Sequence, residues 1–527
     1  MANTAPSRGP QQIRRAVAVG ATDHRSVRIW CRAGRPGRYR LAIRHQQRVV
    51  GGGVFEIPED SRSDYTCSVR YPDDLRRRGA NASGDAPDLA PLTLYTFRVT
   101  AAETEGDVVG AGRFETYPAR PQDTPARFSV GVMSCHQPFD HNGRLSAARM
   151  RLLSALPGAL DSRVKFLIAA GDQMYADGPG GESIFEPPDS DAGLIDIEHL
   201  LRCDWDTIRA AYQDRYRAFW QPIPWRKLLS SYPIYPMLDD HEIVDAAGSR
   251  PEHQQPAWQK LFGAARAAFM DYQGALLRPW PAPELPPHFG HHFDYGHTGV
   301  FVFDARSERR AGLTSRDSQA ISETQHRAFG DFLRARRDAR VLLIVTSVPL
   351  IHLPEWLTNL GDTITGPRVA FLDHWSLDRF QPDRDRILDA VRAQLAATGG
   401  RQKIVFVGGD VHVGTGFVLT WRDQHKHQFY QFTSSPLTQA LRNWETEPSR
   451  WGPELLEQTG RTYDDTLGVR LLRPSVATPG APNPIDEQNF GLIDIETRGQ
   501  NTHLRFRFLG YDPARGQTKE LFSTGLL

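Results

Sequence analysis

Val164-Lys165-Phe166-Leu167-Ile168-Ala169-Ala170-Gly171-Asp172-Gln173-Met174-Tyr175 is an apolar run that stops on a glycine and then presents a carboxylate and a phenol. Apolar residues on consecutive positions predict a strand buried on both faces. The same grammar recurs on either side. Phe128 to Met133 leads into Ser134-Cys135-His136-Gln137, Tyr232 to Leu238 into Asp239-Asp240-His241-Glu242, and Ile404 to Val407 into Gly408-Gly409-Asp410-Val411-His412. Asp, His and Tyr are poor core material and good metal ligands. Strand exits of this kind converge on one sheet edge in open α/β folds, where the chemistry sits.

Further strands are expected over Gly299 to Phe303 and Val341 to Thr346. Helical periodicity fills the gaps, over Asp206 to Trp220, Trp258 to Gly274, Ser322 to Arg336 and Arg384 to Ala397. β character returns over Phe429 to Phe432, Asn489 to Ile495 and Thr502 to Phe508. Strands alternating with helices imply a layered α/β domain. Residues 12 to 117 differ: Ser26 to Cys31, Tyr39 to Ile43 and Tyr95 to Val99 alternate apolar and polar residues between Gly, Pro and Asp clusters. That spacing predicts a small β-sandwich. With Pro118 to Pro125 as a linker, the expected division is a sandwich over 1–120 and the α/β domain over 121–527. There is no internal repeat. The Gly/Pro-rich stretches Asp177 to Asp191, Ala246 to Gln255, Trp280 to Pro287 and Arg473 to Glu487 read as loops, two of them placed to wall the site.

Each site residue has a chemical reading and a plainer one. Asp172 could bridge two cations, and a Tyr175 phenolate suits ferric iron; a helical turn after Asp172 would aim both at one point, or Asp172 simply caps that turn. Asp240 could hold a second metal. His241 could protonate a leaving group or bond a substrate oxygen, and Glu242 would orient its neighbours. Asp410 and His412 flank Val411, so in extended chain they share a side. The Cys135 thiolate could complete the first metal's shell, or the residue is inert core. His136 is a weaker candidate. Asp304 and Arg306 could pair structurally, which is the favoured reading, or contact phosphate, and Asp373, His374 and Trp375 are read as pocket lining.

Bulk properties narrow the class. With 527 residues, 40% hydrophobic and 24% charged, the chain reads as globular and multidomain. A net charge of +1 supplies no field for nucleic acid or anionic lipid. No apolar run is long enough to span a membrane, and four cysteines make no disulfide framework. Met1 to Arg15 is polar and lacks a secretory core, so a cytoplasmic location is expected, with export as the alternative.

In order, Ser134-Cys135-His136-Gln137, Gly171-Asp172-Gln173-Met174-Tyr175, Asp239-Asp240-His241-Glu242, Asp304-Ala305-Arg306 and Gly409-Asp410-Val411-His412 resemble the alkaline phosphatase D (PhoD-like) family of metallophosphoesterases. Val27-Arg28-Ile29-Trp30 and Gly112-Arg113-Phe114-Glu115-Thr116 are similar to that family's N-terminal domain. The resemblance implies a hydrolase of phosphate mono- and/or diesters working through metal-activated water, with a small phosphorylated substrate. It implies iron (Fe3+) and calcium as cofactors, with manganese or zinc as alternatives. Cys135, Asp172, Tyr175 and His412 would hold the iron, Asp172 would bridge, and Asp240 and Asp410 would hold the neighbouring cation. His241 falls where metallophosphoesterases keep a catalytic His. The rival reading is a non-catalytic binding or scaffold protein that retains a structural metal site.

Overall fold

The computed structural model describes residues 13–77, 87–177 except 105 and 141, 197–353 except 283 and 313–314, 356, 374–439 except 424–426, 451–453 and 466–527. Asp373, and the expected loop Asp177 to Asp191 beyond its first residue, lie outside them.

The apolar runs become the inner strands of two mixed sheets. Strands β8 (Arg127–Met133), β9 (Val164–Ala169) and β10 (Ile234–Pro236) run parallel. β18 (Phe490–Arg498), β19 (Asn501–Asp512) and β20 (Gln517–Ser523) extend them antiparallel, in the order β10-β9-β8-β18-β19-β20. The second sheet joins β11 (His291–Tyr295), β12 (Thr298–Val302), β13 (Val341–Val345), β14 (Lys403–Gly408), β15 (Thr415–Trp421), β16 (Gln428–Thr433) and β17 (Leu467–Leu471) in the order β11-β12-β13-β14-β16-β15-β17. Its centre, β12-β13-β14-β16, is parallel. Tyr232 to Leu238 contributes only three strand residues, because the backbone after Pro236 turns off towards the site.

Alternation along each strand explains the layering. Leu343 and Val345 point inward with Val130, Phe166, Val300, Val405 and Phe506, forming a core between the sheets. Leu342 and Ile344 point outward, against Phe329, Phe332, Ile387 and Val391 of the helices Glu323–Ala335 and Gln381–Ala397. On the far face of the first sheet, Leu167, Ala169 and Leu492 meet the helices Arg151–Ala159, Trp205–Phe219, Ile223–Leu229 and Pro256–Tyr272. Two sheets thus lie between two helical layers. Among the described residues, no helix is long and apolar enough to cross a membrane.

Near the N-terminus, β1 (Ala16–Thr22), β2 (Val27–Arg32) and β5 (Thr66–Tyr71) form one antiparallel sheet; β3 (Gly37–His45), β4 (Arg48–Ile57), β6 (Leu94–Ala101) and β7 (Val108–Glu115) form another. Val17, Ile29, Val69, Leu41, Phe97 and Phe114 bury a shared core. Trp30, on the other face of β2, inserts its indole into the helical layer and donates its N–H to the Asp271 carbonyl at 2.7 Å.

Along the edge where β10 and β11 approach, Tyr235 and Phe293 stack at 3.5 Å and His291 lies parallel to both. Burial holds the His291 imidazole down, to about 4. Unfolded, it would take a proton at about 6.5. Its contribution is therefore complete above that pH and is lost as pH falls towards 4, by about 1.4 kcal/mol per unit. The stability deficit of a His291→Phe variant should consequently shrink between pH 7.5 and pH 5. Paired urea titrations measure it, and a pH-independent deficit would contradict the assigned proton linkage.

Candidate metal centre

Every motif leaves its strand at the same end of the two sheets, and each leaves by a tight turn. Cys135 (φ 54°), Asp172 (φ 55°), Asp410 (φ 64°) and His412 (φ 56°) all occupy left-handed backbone, which costs a non-glycine residue about 1 kcal/mol or more. The helical turn expected after Asp172 does not form, and Asp410-Val411-His412 is not extended. Sharp left-handed turns do the aiming instead. A Cβ on Gly409 would clash with the Ser134 Cβ and the Ala170 carbonyl, and one on Gly171 would lie 2.6 Å from the Asp239 Cβ. Both glycines are set by how closely the turns approach.

Backbone bonds tie the turns together: Cys135 N–H donates to Gly171 O, His136 N–H to Asp172 O, and Ala176 N–H to His241 O. Glu242 is the hub. Its buried carboxylate accepts from the backbone N–H of Asp172 (3.1 Å), Gln173 (2.6 Å) and Asp239 (3.0 Å), and from the Gln273 side chain (3.0 Å). The orienting role read for Glu242 in the sequence is thus visible as four bonds. Burial raises its carboxyl to about 7 despite them.

Asp172, Asp239, Asp240 and Asp410 each offer an oxygen, all within 4.8 Å of one another; Asp172, Asp240 and His241 form an overlapping group. Asp172 Oδ1, Asp239 Oδ2 and Asp240 Oδ1 are buried without a hydrogen-bond donor. Tyr175 donates its hydroxyl to Asp172 Oδ2 at 3.3 Å and lies 3.4 Å from His412 Nε2. The Cys135 thiol points at Asp172 Oδ2 (3.5 Å) and receives the Ser435 hydroxyl at 3.0 Å. Burial pushes that thiol up to about 11 and the Tyr175 hydroxyl well above its usual value. Asp172 is pushed well up as well, first by burial and then by Cys135, Asp239, Asp240 and Glu242.

Such crowding is costly without a cation, because each unpaired buried charge costs several kcal/mol. Oxygen-rich donors with one thiol, one phenol and one imidazole fit bound metal cations. All six expected ligands, Cys135, Asp172, Tyr175, Asp240, Asp410 and His412, therefore meet at one centre.

His241 stands at its rim. Its ring stacks on Tyr175 at 4.2 Å, and Nδ1 bonds Asp177 Oδ1 at 2.6 Å. Burial opposes its charge, but Asp177 and Asp240 outweigh that and hold the imidazole well above its ordinary value.

Sequence reasoning missed Asp239 and misassigned Arg306. Asp304 spends its carboxylate on the backbone N–H of Phe289, Arg306 and Ser307. Arg306, fully buried, turns instead to Asp239 and lies 3.5 Å from Asp240 Oδ1, so its charge offsets the carboxylate cluster. The doubled Asp239-Asp240 was the available signal. His136 does not join the centre: it stacks on Trp225 at 4.5 Å, bonds Thr438 and is held down to about 3 by burial.

No curated protein matches the sequence. A solved structure of PhoD is similar at TM-score 0.66 and 15% identity, over 99% of this chain and 94% of that one. A purple acid phosphatase, PPD1 from yellow lupin (Lupinus luteus), is similar at TM-score 0.51 and 10% identity, over 98% of this chain and 74% of that one. At such identities the likeness is one of fold. A family model for PhoD-like phosphatases matches residues 130–503, which span every turn of the centre. The chain belongs to the PhoD-like phosphatase family.

Proposed function

We propose that the chain hydrolyses phosphate mono- and/or diesters at a multinuclear metal centre. The observation that carries this reading is a cluster of four carboxylates, three of them buried, each of those with an oxygen that lacks a donor. Cys135, Asp172, Tyr175 and His412 would hold iron, Asp172 would bridge, and Asp240 and Asp410 would hold calcium, with manganese or zinc as alternatives. When bound, the cations supply Lewis acidity and a water acidic enough to attack phosphorus at neutral pH. Glu242 keeps the turns bearing Asp172 and Asp240 in register, and Arg306 limits carboxylate repulsion. With Nδ1 on Asp177, His241 keeps Nε2 for the substrate, where a proton can pass to the leaving oxygen. The N-terminal sheets are read as a β-sandwich over 1–120 and the remainder, 121–527, as the catalytic domain.

The test is hydrolysis of an aryl phosphate and a bis-aryl phosphate before and after chelation. Activity lost on chelation and restored by iron with calcium is expected; inactivity with both supplied overturns the reading. Tyr175 adds an optical check. The iron-loaded protein should absorb visible light, and Tyr175→Phe should remove the band. A colourless iron-loaded wild type removes Tyr175 from the ligand set.

A further inference from the structure

Two of the four cysteines face each other across the N-terminal sheet. Cys31 on β2 is the direct register partner of Cys67 on β5, between Trp30↔Ser68 and Arg32↔Thr66. Directly opposed residues of an antiparallel pair project to the same face. Both side chains accordingly enter the core between the two N-terminal sheets, exposed by 1% and 2%, and neither is bridged. Opposed Cα atoms lie about 4.5 or 5.5 Å apart, according to whether the pair is hydrogen-bonded. Either spacing falls inside the roughly 4.4–6.8 Å that a disulfide spans.

We propose that Cys31 and Cys67 form a cross-strand disulfide site, closed by exchange with a low-molecular-weight disulfide such as glutathione disulfide. One cysteine, as thiolate, attacks the glutathione S–S bond, giving a mixed disulfide and releasing one glutathione thiolate. The second attacks the protein sulfur of that mixed disulfide, releasing the other. The protein loses two protons and two electrons; two glutathione thiols gain them. The bond fastens β2 to β5 and closes a loop that contains Asp64. Asp64 accepts from Arg32 of β2, from Arg217 of the helix Trp205–Phe219 and from Tyr272 of the helix Pro256–Tyr272. Closing the loop therefore braces the contact that seats the N-terminal sheets on the catalytic body. Cys135 and Cys203 have no such partner in register.

The full chain is incubated with excess glutathione disulfide, both native and during refolding from urea, then assayed by thiol titration, intact mass and peptide mapping. A mass loss of two hydrogens, two titratable thiols instead of four and a peptide joining Cys31 to Cys67 are expected, with a melting temperature several degrees higher than that of the reduced form. Cys67→Ser should abolish the bond and the shift, while Cys203→Ser should keep both. Formation on refolding alone also supports the site and places its closure before the core is sealed. Four free thiols after refolding, or a bond through Cys135 or Cys203, overturns the proposal.

Discussion

Asp172→Asn is expected to reduce phosphate-ester turnover by at least about 10³-fold, beyond the roughly 10–100-fold typical of losing a residue that only orients a ligand. Stability should move the other way. In the metal-free chain Asp172 is a buried carboxylate crowded by Cys135, Asp239, Asp240 and Glu242, all of which push its proton affinity up. An amide of the same shape has no ionisation for burial and these neighbours to oppose, and should leave the metal-free protein as stable as wild type, or slightly more so. A cation that binds only the folded state raises the unfolding free energy by RT ln(1 + [L]/Kd). Melting curves with and without chelator should thus separate widely for wild type and nearly coincide for Asp172→Asn. Turnover near the wild-type level would remove Asp172 from the bridging position. A variant unfolded at room temperature would instead favour a purely structural site.

Asp172 and its partners were readable from sequence because each sits at the end of an apolar run. Val164 to Ala169 must be a strand, since no other short element buries so apolar a run on both faces, and residues just past its last position stand at a sheet edge. Asp172, Asp240 and Asp410 were legible for that reason. How they are aimed was not. Left-handed backbone at Asp172, Asp410 and His412 comes from the mutual approach of separate turns, recorded in the sequence only as Gly171 and Gly409. The partners of Arg306 were hidden for a related reason: Asp239 and Asp240 lie more than sixty residues earlier, and no local spacing joins them to it. The mixed sheets obey the same logic. β8, β9, β13 and β14 announce themselves by composition, whereas β11, with His292 and Asp294 exposed at a sheet edge, carries no apolar run to mark it.

Asp64→Ala is expected to be the most destabilising single change outside the core. Asp64 is buried, and its carboxylate accepts from Arg32 Nε (2.9 Å) and Nη2 (2.8 Å), from Arg217 Nη1 (2.9 Å) and from the Tyr272 hydroxyl. Burial opposes its charge, but Arg32 and then Arg217 outweigh that and hold the carboxyl below its usual value. The group joins three elements: β2, the helix Trp205–Phe219 and the helix Pro256–Tyr272. Alanine would leave Arg32 buried with its counter-charge gone, a situation that costs about 3–5 kcal/mol. It would also forfeit the tolerance of left-handed backbone that Asp brings at φ 55°. Asn retains that tolerance and the acceptor but not the charge, so Asp64→Asn should fall between wild type and alanine. On thermal unfolding with the metal site chelated, the alanine variant should melt on the order of 3–5 °C lower. Turnover at 25 °C by whatever remains folded should be unchanged, because none of these groups reaches the carboxylate cluster. A melting shift under about 2 °C would mean that Trp30 and its packing seat the N-terminal sheets unaided.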